Sequence, residues 1–443
     1  MVDVKAGGSK QFTLRITDDV GVKTTSVTAA AASVEDSASN ALPVSLISKS
    51  PESGDATQVD ATFAVEVSGL DDDLTLKLNP NVVQDTAGNA VAGADLQTGI
   101  RAYKTLDFQG GPSFSGINCN LLTGGKTEWV FQDADNSRGS DTYVGEYMSF
   151  NPNANGAYAF GAKYFAEPTQ LEMHSNPKVS VDLTQLASLT KLRKLKVDGT
   201  LVDLTGFDFS PMAAELKDLN VSGGDTELTD AQVAVLTNLE SIAAGQMSGV
   251  LTDAAFPEPQ KMKSFNFNQA TGVALTDATL AAGTINFVDM PDTPNTTITD
   301  ASLAAMTQAV FVNLSGCGGT FTGGGIKNLK EATFLGFANL NLTGLDDSVL
   351  AAIPQVEALY IGKNTHSLTP SGFAPLINLT QLGIDTMGWS ASDLDAIMAQ
   401  LVSTAPNLNN LTMNGNPGQY GIDKSPDSAY ETLVNRGVNM NGV

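Results

Sequence analysis

The amino-acid sequence predicts a multidomain chain, a β-sandwich followed by an α/β solenoid of stacked coils, and three observations carry that reading. The first is a recurring dipeptide. Leu183-Thr184, Leu204-Thr205, Leu228-Thr229, Leu251-Thr252, Leu275-Thr276, Ile298-Thr299, Phe321-Thr322, Leu345-Asp346, Leu368-Thr369 and, loosely, Trp389-Ser390 are separated by 21, 24, 23, 24, 23, 23, 24, 23 and 21 residues. Chance composition does not sustain such a period, and self-similarity at this length marks a repeat array. The second is a short strand pattern, L-x-x-L-x-L, running in phase with those marks. The third is a change of texture: residues 1 to about 100 alternate apolar and polar with period two, as half-buried strands do.

Residues 1–100 read as a small antiparallel sandwich. Phe12, Leu14 and Ile16 alternate in KQFTLRIT, Phe63, Val65 and Val67 in ATFAVEV, and Leu74, Leu76 and Leu78 in LTLKL, with Gly, Asn and Asp clusters as turns. The stretch VSGLDDDLTLKLNPNVVQDTAGNAVAG, residues 67–93, resembles bacterial immunoglobulin-like domains of extracellular and virion proteins. Its most specific part is Asp85-Thr86-Ala87-Gly88-Asn89, a turn that needs Gly at a positive φ and uses the aspartate as a local hydrogen-bond acceptor.

Residues 101–165 are expected to form irregular first coils that cap the solenoid, because an open stack leaves an unpaired strand edge. Tyr103, Leu106 and Phe108 fit the strand pattern, and Trp129 with Phe131 falls 23 residues after Leu106.

Residues 166–420 carry the strands: Leu192, Leu195, Val197; Leu216, Leu219, Val221; Met262, Phe265, Phe267; Val356, Leu359, Ile361; Leu379, Leu382, Ile384; Leu408, Leu411, Met413. Some reach a further position, at Asn364, Asn416 and Cys317. These residues resemble the leucine-rich repeat, L-x-x-L-x-L-x-x-N/C-x-L, whose coils bury their leucines only against neighbouring coils. In the returning half, Thr or Asp caps a short helix, and Thr229 with Gln232 has capping-box spacing. Cys317 reads as structural, donating to the backbone of the next turn. Residues 421–443 read as a C-terminal cap with a helix in DSAYETLVNRG stopped by Gly437. The run from LTMNGNPG to LVNRGVNM is similar to the last coil of many leucine-rich proteins of bacteria and their phages.

Acids outnumber bases 48 to 24, a formal net charge of −24. Such a surface repels phosphate, so neither nucleic acid nor anionic lipid is an expected partner. No run of eighteen apolar residues predicts membrane insertion. The start, MVDVKAGGSKQF, has neither the basic nor the apolar run of a signal peptide, which fits a protein made without export or a secreted one whose leader has been removed. Cys119 and Cys317, 198 residues or about eight coils apart at ~4.8 Å per coil, are expected on the order of 40 Å apart and therefore free.

No catalytic constellation stands out. His174 and His366 lack Cys, Asp or His partners at ligand spacing and read as solvated loop residues. GTFTGGGIKNL, residues 319–329, lacks the Gly-Lys-Ser/Thr ending of a phosphate loop and reads as a coil with a loop in place of its helix. In QDADNSRGSD, Asp133, Asp135, Ser137 and Asp141 have the alternate spacing of a calcium loop, but Gly139 comes one place late and Val144 stands where an acid belongs. Calcium is thus a weak candidate there, against a plain polar loop, and no other cofactor is expected. The Asn-x-Ser/Thr triplets at Asn220, Asn313, Asn341, Asn378 and Asn410 read as products of the repeat.

The more useful constellation is the solvent-facing strand row, expected to run Lys196, Asn220, Ala243, Asn266, Asn286, Asn313, Thr333, Tyr360, Gly383 and Thr412. Asn220, Asn266, Asn286, Asn313 and Tyr360 are its candidate binding residues. Carboxamides donate and accept without a charge to desolvate, which suits sugars or another protein's backbone. The alternative is that asparagine merely tolerates an exposed strand.

The expected function is a non-enzymatic structural or attachment protein on a particle surface, a phage virion fibre, spike or capsid decoration. Its partners would be other structural proteins of the particle, copies of itself, or a host surface glycan or protein. The alternative is a bacterial cell-surface or secreted adhesin or filament subunit lacking its signal peptide. A polysaccharide-degrading tailspike is a third reading, opposed by the lack of clustered acids in the expected strand row.

Overall fold

A computed structural model of the chain describes residues 3–5, 9–67, 73–110, 117–123, 127–133, 140–145, 147–150, 158–164, 166–175, 179–181, 183–197, 204–223 and 227–442. They belong to two compact units, Met1–Lys191 and Leu192–Val443.

In the first unit the alternating segments become strands. Ser9–Lys23 and Val44–Ser50 flank Asp55–Glu66, all antiparallel, setting Phe12 opposite Phe63 and Ile16 opposite Val59. The Phe12 and Phe63 rings stack with centroids 5.5 Å apart. A second antiparallel sheet orders Ala41–Leu42, Ala32–Glu35, Asp73–Leu78 and Ala94–Gly110. Val34, Leu74 and Leu76 from this sheet pack with Val65 and Val67 from the first. At the Asp85 turn, the Asn89 N–H donates to Oδ1 at 2.6 Å and its Nδ2 to Oδ2 at 2.7 Å, while Gly88 takes φ +88°.

The segment expected as capping coils has a different architecture. Ala94–Gly110 runs unbroken through residue 100, pairing first with Asp73–Leu78 and then with Tyr158–Tyr164. Among the described residues of 101–165, the strands pair with one another antiparallel, not as parallel rungs, and Arg101–Tyr103 also pair in parallel with Asp3–Lys5. The 23-residue spacing misleads for a physical reason. Leu106 and Trp129 do lie in one row, but Ala162, from a strand later in the chain, sits between them. The first unit also takes in Gln170–Ser175, antiparallel to Ile117–Leu122.

In the second unit eleven described strands, from Lys194–Val197 to Asn439–Asn441, each pair in parallel with the next. The inward residue advances by 23 or 24 positions per rung from Leu195 to Leu382, then by 29 to Leu411 and 29 again to Met440. The helix Ala391–Thr404 takes up added length in the first of these longer coils and buries Leu394, Ile397, Met398 and Leu401. The segment expected as a cap supplies a short helix, Ala429–Asn435, and the last described rung.

Three hydrogen-bond ladders fix the coils to one another. Two residues past the second inward position the backbone turns left-handed, at Gln246, Gln269, Asp292, Asn339, Lys363 and Thr386 with φ of 54 to 62°. That turn aims each N–H at the next coil, as from Gln246 to the Asn268 carbonyl at 2.7 Å and from Lys363 to Asp385 at 2.8 Å. On the returning side, the Leu-Thr-Asp signature is itself a ladder. Asp230, Asp277 and Asp347 each accept from the hydroxyl of the next coil's Thr, at 2.6 Å, and from its N–H. Asp253 and Asp300 bind Thr276 and Thr322 likewise. Thr276 and Thr299 meanwhile accept the N–H two residues on, capping their own helices. The third ladder uses the Asn/Cys position. Asn364 donates to the Phe337 carbonyl at 2.6 Å, Asn416 to Ile384 at 2.8 Å and Cys317 to Met290 at 2.7 Å. These bonds reach back to the preceding coil, reversing the direction expected for Cys317.

Candidate binding face

A strand alternates its side chains, so each rung presents two outward residues flanking the first inward one. The register gives both rows. One runs Lys196, Asn220, Ala243, Asn266, Asp289, Asn313, Gly336, Tyr360, Gly383, Thr412 and Asn441. Asn220, Asn266, Asn313 and Tyr360 thus lie where the sequence put them. Asn286 and Thr333 do not: they sit three residues ahead of Asp289 and Gly336, on the rim row that holds Lys217, Glu240, Lys263, Val310 and Glu357. The expected row was therefore wrong at two rungs, and it is neither free of acid nor rich in asparagine at its centre.

The other outward row was missed. It reads Lys194, Asp218, Ser241, Ser264, Phe287, Phe311, Phe334, Ala358, Gln381, Asn410 and Asn439. Its middle is an aromatic stack. Phe287 and Phe311 lie 4.8 Å apart at 12°, Phe311 and Phe334 4.2 Å apart at 11°, and Phe334 meets Tyr360 at 5.7 Å. All four rings are partly exposed. The signal available in sequence was Phe at one position of three successive coils, hidden because phenylalanine reads as core.

The neighbouring row shapes the strip. Gly336 leaves room for the Asn313 carboxamide, whose Oδ1 would stand 2.3 Å from an added Cβ. Gly383 does the same for the Tyr360 ring, at 2.5 Å, and the Tyr360 hydroxyl donates to the Gln381 carboxamide. Asn313 donates to Asp289 at 2.9 Å. Burial raises the Asp289 carboxyl above its ordinary value, with that hydrogen bond opposing. Beside Tyr360 opens a groove of about 290 Å³, lined among others by Asp292, Asn339, Lys363, Gly383 and Asp385. The charged rim at the first rungs is ion-paired, Glu240 lying 2.6 Å from Lys217 and 2.5 Å from Lys263. An apolar centre ringed by polar groups is the anatomy of a recognition surface.

The other singled-out residues are elsewhere. His366 is a half-buried wedge and not a solvated loop residue: its Nδ1 accepts the Leu368 N–H at 3.2 Å, its Nε2 donates to the Met387 carbonyl at 3.0 Å, and its ring lies 4.4 Å from that of Trp389. The backbone of His174 falls within the strand Gln170–Ser175 and not in a loop. Both cysteines are free and buried. Asp135 lies outside the described residues, as do the side chains of Asp133 and Asp141. Among the described residues no three His, Cys, Asp or Glu side chains are grouped to hold a metal ion, and no helix is long and apolar enough to cross a membrane.

No protein-family model matches the chain, and no curated protein sequence does. Among solved structures it is similar to internalin C2 of Listeria monocytogenes, at 17% identity over 53% of this chain and 84% of that one, with a TM-score of 0.32. It is similar to a leucine-rich-repeat protein of Leptospira interrogans at 12% identity, over 58% and 86%, TM-score 0.29. A third likeness is to the Arabidopsis receptor kinase HAESA in complex with a peptide hormone and a co-receptor, at 16% identity, over 48% of this chain but only 38% of that one, TM-score 0.34. At these scores the leucine-rich-repeat assignment of the second unit rests on its own register and its asparagine ladder.

Proposed function

We propose that the chain is a non-enzymatic attachment protein in which an immunoglobulin-like sandwich accompanies a leucine-rich solenoid that binds through its strand face, displayed on a phage virion as a fibre, spike or capsid decoration. The observation behind it is the aromatic stack: three consecutive rungs place Phe outward, where other rungs carry Lys, Asp, Ser, Ala, Gln or Asn. Contiguous exposed apolar side chains with a polar surround favour an interaction surface. The virion setting rests on the resemblance of residues 67–93 and of the last coil to virion and phage proteins. The alternative display site is a bacterial cell surface.

The test is a titration of fluorescently labelled chain onto intact bacterial cells and onto purified virions of the source, beside the Phe311→Ser/Phe334→Ser variant, with an inventory of the virion proteins. Saturable binding lost in the variant, with the chain present in virions, supports the reading. Presence only in the cell envelope moves the display site to the alternative. Release of new reducing ends from surface polysaccharide, or binding indifferent to the variant, overturns it.

A further inference from the structure

We propose that the occupant of this face is a polypeptide segment carrying an arginine or lysine beside apolar side chains, the apolar groups lying on the Phe287–Phe334 ring edges and the cation entering the groove between Asp292 and Asp385. This rests on the attachment reading above and names the partner's chemistry, which that reading leaves open between glycan and protein.

Ring orientation decides against a sugar. A saccharide stacks its C–H face on an open aromatic face, but here the rings cover one another. Phe311 has Phe287 on one side at 12° and Phe334 on the other at 11°, so only its edge meets solvent. Ring edges carry the positive side of the quadrupole and pack well against aliphatic groups or the face of a partner's aromatic ring.

Charge decides the rest. Across the five rungs from Asn286 to Thr386, the residues at and beside the strands include four acids, Asp289, Asp292, Glu357 and Asp385, and one base, Lys363. Among the described residues the first rungs are the reverse, with Arg193, Lys194, Lys196, Lys217 and Lys263 against Asp218 and Glu240. The aromatic centre therefore sits in the acidic part of the face. Asp385 is already held by Thr412 at 3.0 Å and the Asn414 N–H at 2.5 Å, which fixes its direction. Asp292 is exposed, and its left-handed backbone is pinned by its N–H to the Ser315 carbonyl at 2.8 Å. The groove's carboxylates, Asp292 at one end and Asp385 four rungs away, outnumber the single ammonium of Lys363. A guanidinium there also stacks on Tyr360, which shares the groove.

The experiment is selection of a displayed random-peptide library on the immobilised full chain, followed by titration of the enriched peptides and a parallel glycan array. Enriched peptides should place Arg or Lys within a few residues of Phe, Tyr, Leu or Ile. Their affinity should fall about tenfold or more in Phe311→Ser, as for an interface hot spot, and severalfold in Asp292→Asn, with both variants folded at the assay temperature. Added salt should weaken the wild type more than Asp292→Asn. No enrichment, acidic or charge-indifferent peptides, or peptides bound equally by Phe311→Ser overturn the inference. Glycan binding lost in Phe311→Ser also overturns it while leaving the attachment reading in place. If either variant melts early, Phe311→Leu and Asp292→Ser replace it.

Discussion

Replacing Asp277 with Ala should cost the solenoid about 3 kcal/mol, because one carboxylate serves three donors of the next coil. Oδ1 accepts the Thr299 N–H at 2.9 Å and the Ser302 hydroxyl, and Oδ2 accepts the Thr299 hydroxyl at 2.6 Å. Hydrogen bonds to a charged group contribute about 1.5–3 kcal/mol each, and the partial exposure of Asp277 argues for discounting toward about 1. Ser302 is fully buried, so its hydroxyl would be left without this acceptor. Asp277→Asn keeps one acceptor oxygen and should cost roughly half as much. Both are read from urea unfolding by the shift in midpoint at unchanged slope, with amide exchange at Thr299 as the local report. Asp292→Asn, which removes an exposed carboxylate and keeps a residue suited to the left-handed backbone there, is the control. The sign with pH follows from the folded state. Burial pushes the Asp277 carboxyl up, but Ser302 and Thr299 together outweigh it and hold it below its ordinary value. The stabilisation is therefore full above the unfolded-state value of about 4 and is lost as pH falls through the lower folded value, so wild type and Asp277→Asn should converge in acid. An Asp277→Ala midpoint shift no larger than that of Asp292→Asn would refute the ladder as a source of stability.

Asn416→Ala should cost about 3–4 kcal/mol in thermal or urea unfolding, because its Oδ1 accepts from the N–H groups of Met387, Gly388 and Trp389 at 2.9, 3.0 and 3.2 Å in the interior. Gly272→Ala should cost about 3 kcal/mol, since an added Cβ meets the Gly249 carbonyl at 2.0 Å; Gly383→Ala meets the movable Tyr360 ring and should cost under about 1 kcal/mol in the same measurement. Burial pushes the Cys317 thiol up to about 11 against its contact with Thr293, and burial raises Cys119 as well. A disulfide-exchange reagent near about pH 8 should titrate neither thiol in the native chain and both in denaturant.

The period was legible because each coil repeats the same three demands: inward apolar groups on the strand, a capping Thr, and an acid to hold the next Thr. What was not legible was which demand a given apolar residue meets. In INFVDM, Ile285 and Phe287 bracket Asn286 as well as Val288 and Met290 bracket Asp289, and only the pairing of Val288 with Phe265 and Val312 shows that Phe287 faces out. At Phe334 the same ambiguity moved the row to Thr333. The outward phenylalanines that form the candidate site are therefore what blurred its register. In residues 101–165 a matching interval concealed an intervening strand, because spacing along the chain carries no information on strand direction.

Stability alone gives a weak account of the aromatic stack. The outward slot filled by Phe287, Phe311 and Phe334 holds Ser241, Ser264, Gln381 and Asn410 elsewhere, and the pairing register is the same in those rungs. Coil spacing is thus set without phenylalanine, by strand pairing together with the left-handed N–H turns, the Asp–Thr contacts and the Asn/Cys contacts, none of which uses this slot. Stacking adds about 0.5–1.5 kcal/mol per ring pair beyond burial, or about 1–3 kcal/mol for the two pairs of Phe311, no more than the roughly 3 kcal/mol assigned to a single Asp–Thr rung. Against that small gain stands a contiguous apolar strip open to solvent, a liability for any chain that leaves it uncovered. A covering partner removes the liability and turns the same rings into binding energy. Phe311→Ser should therefore cost the free chain no more than the loss of one Asp–Thr rung, about 3 kcal/mol or less, while association should change much.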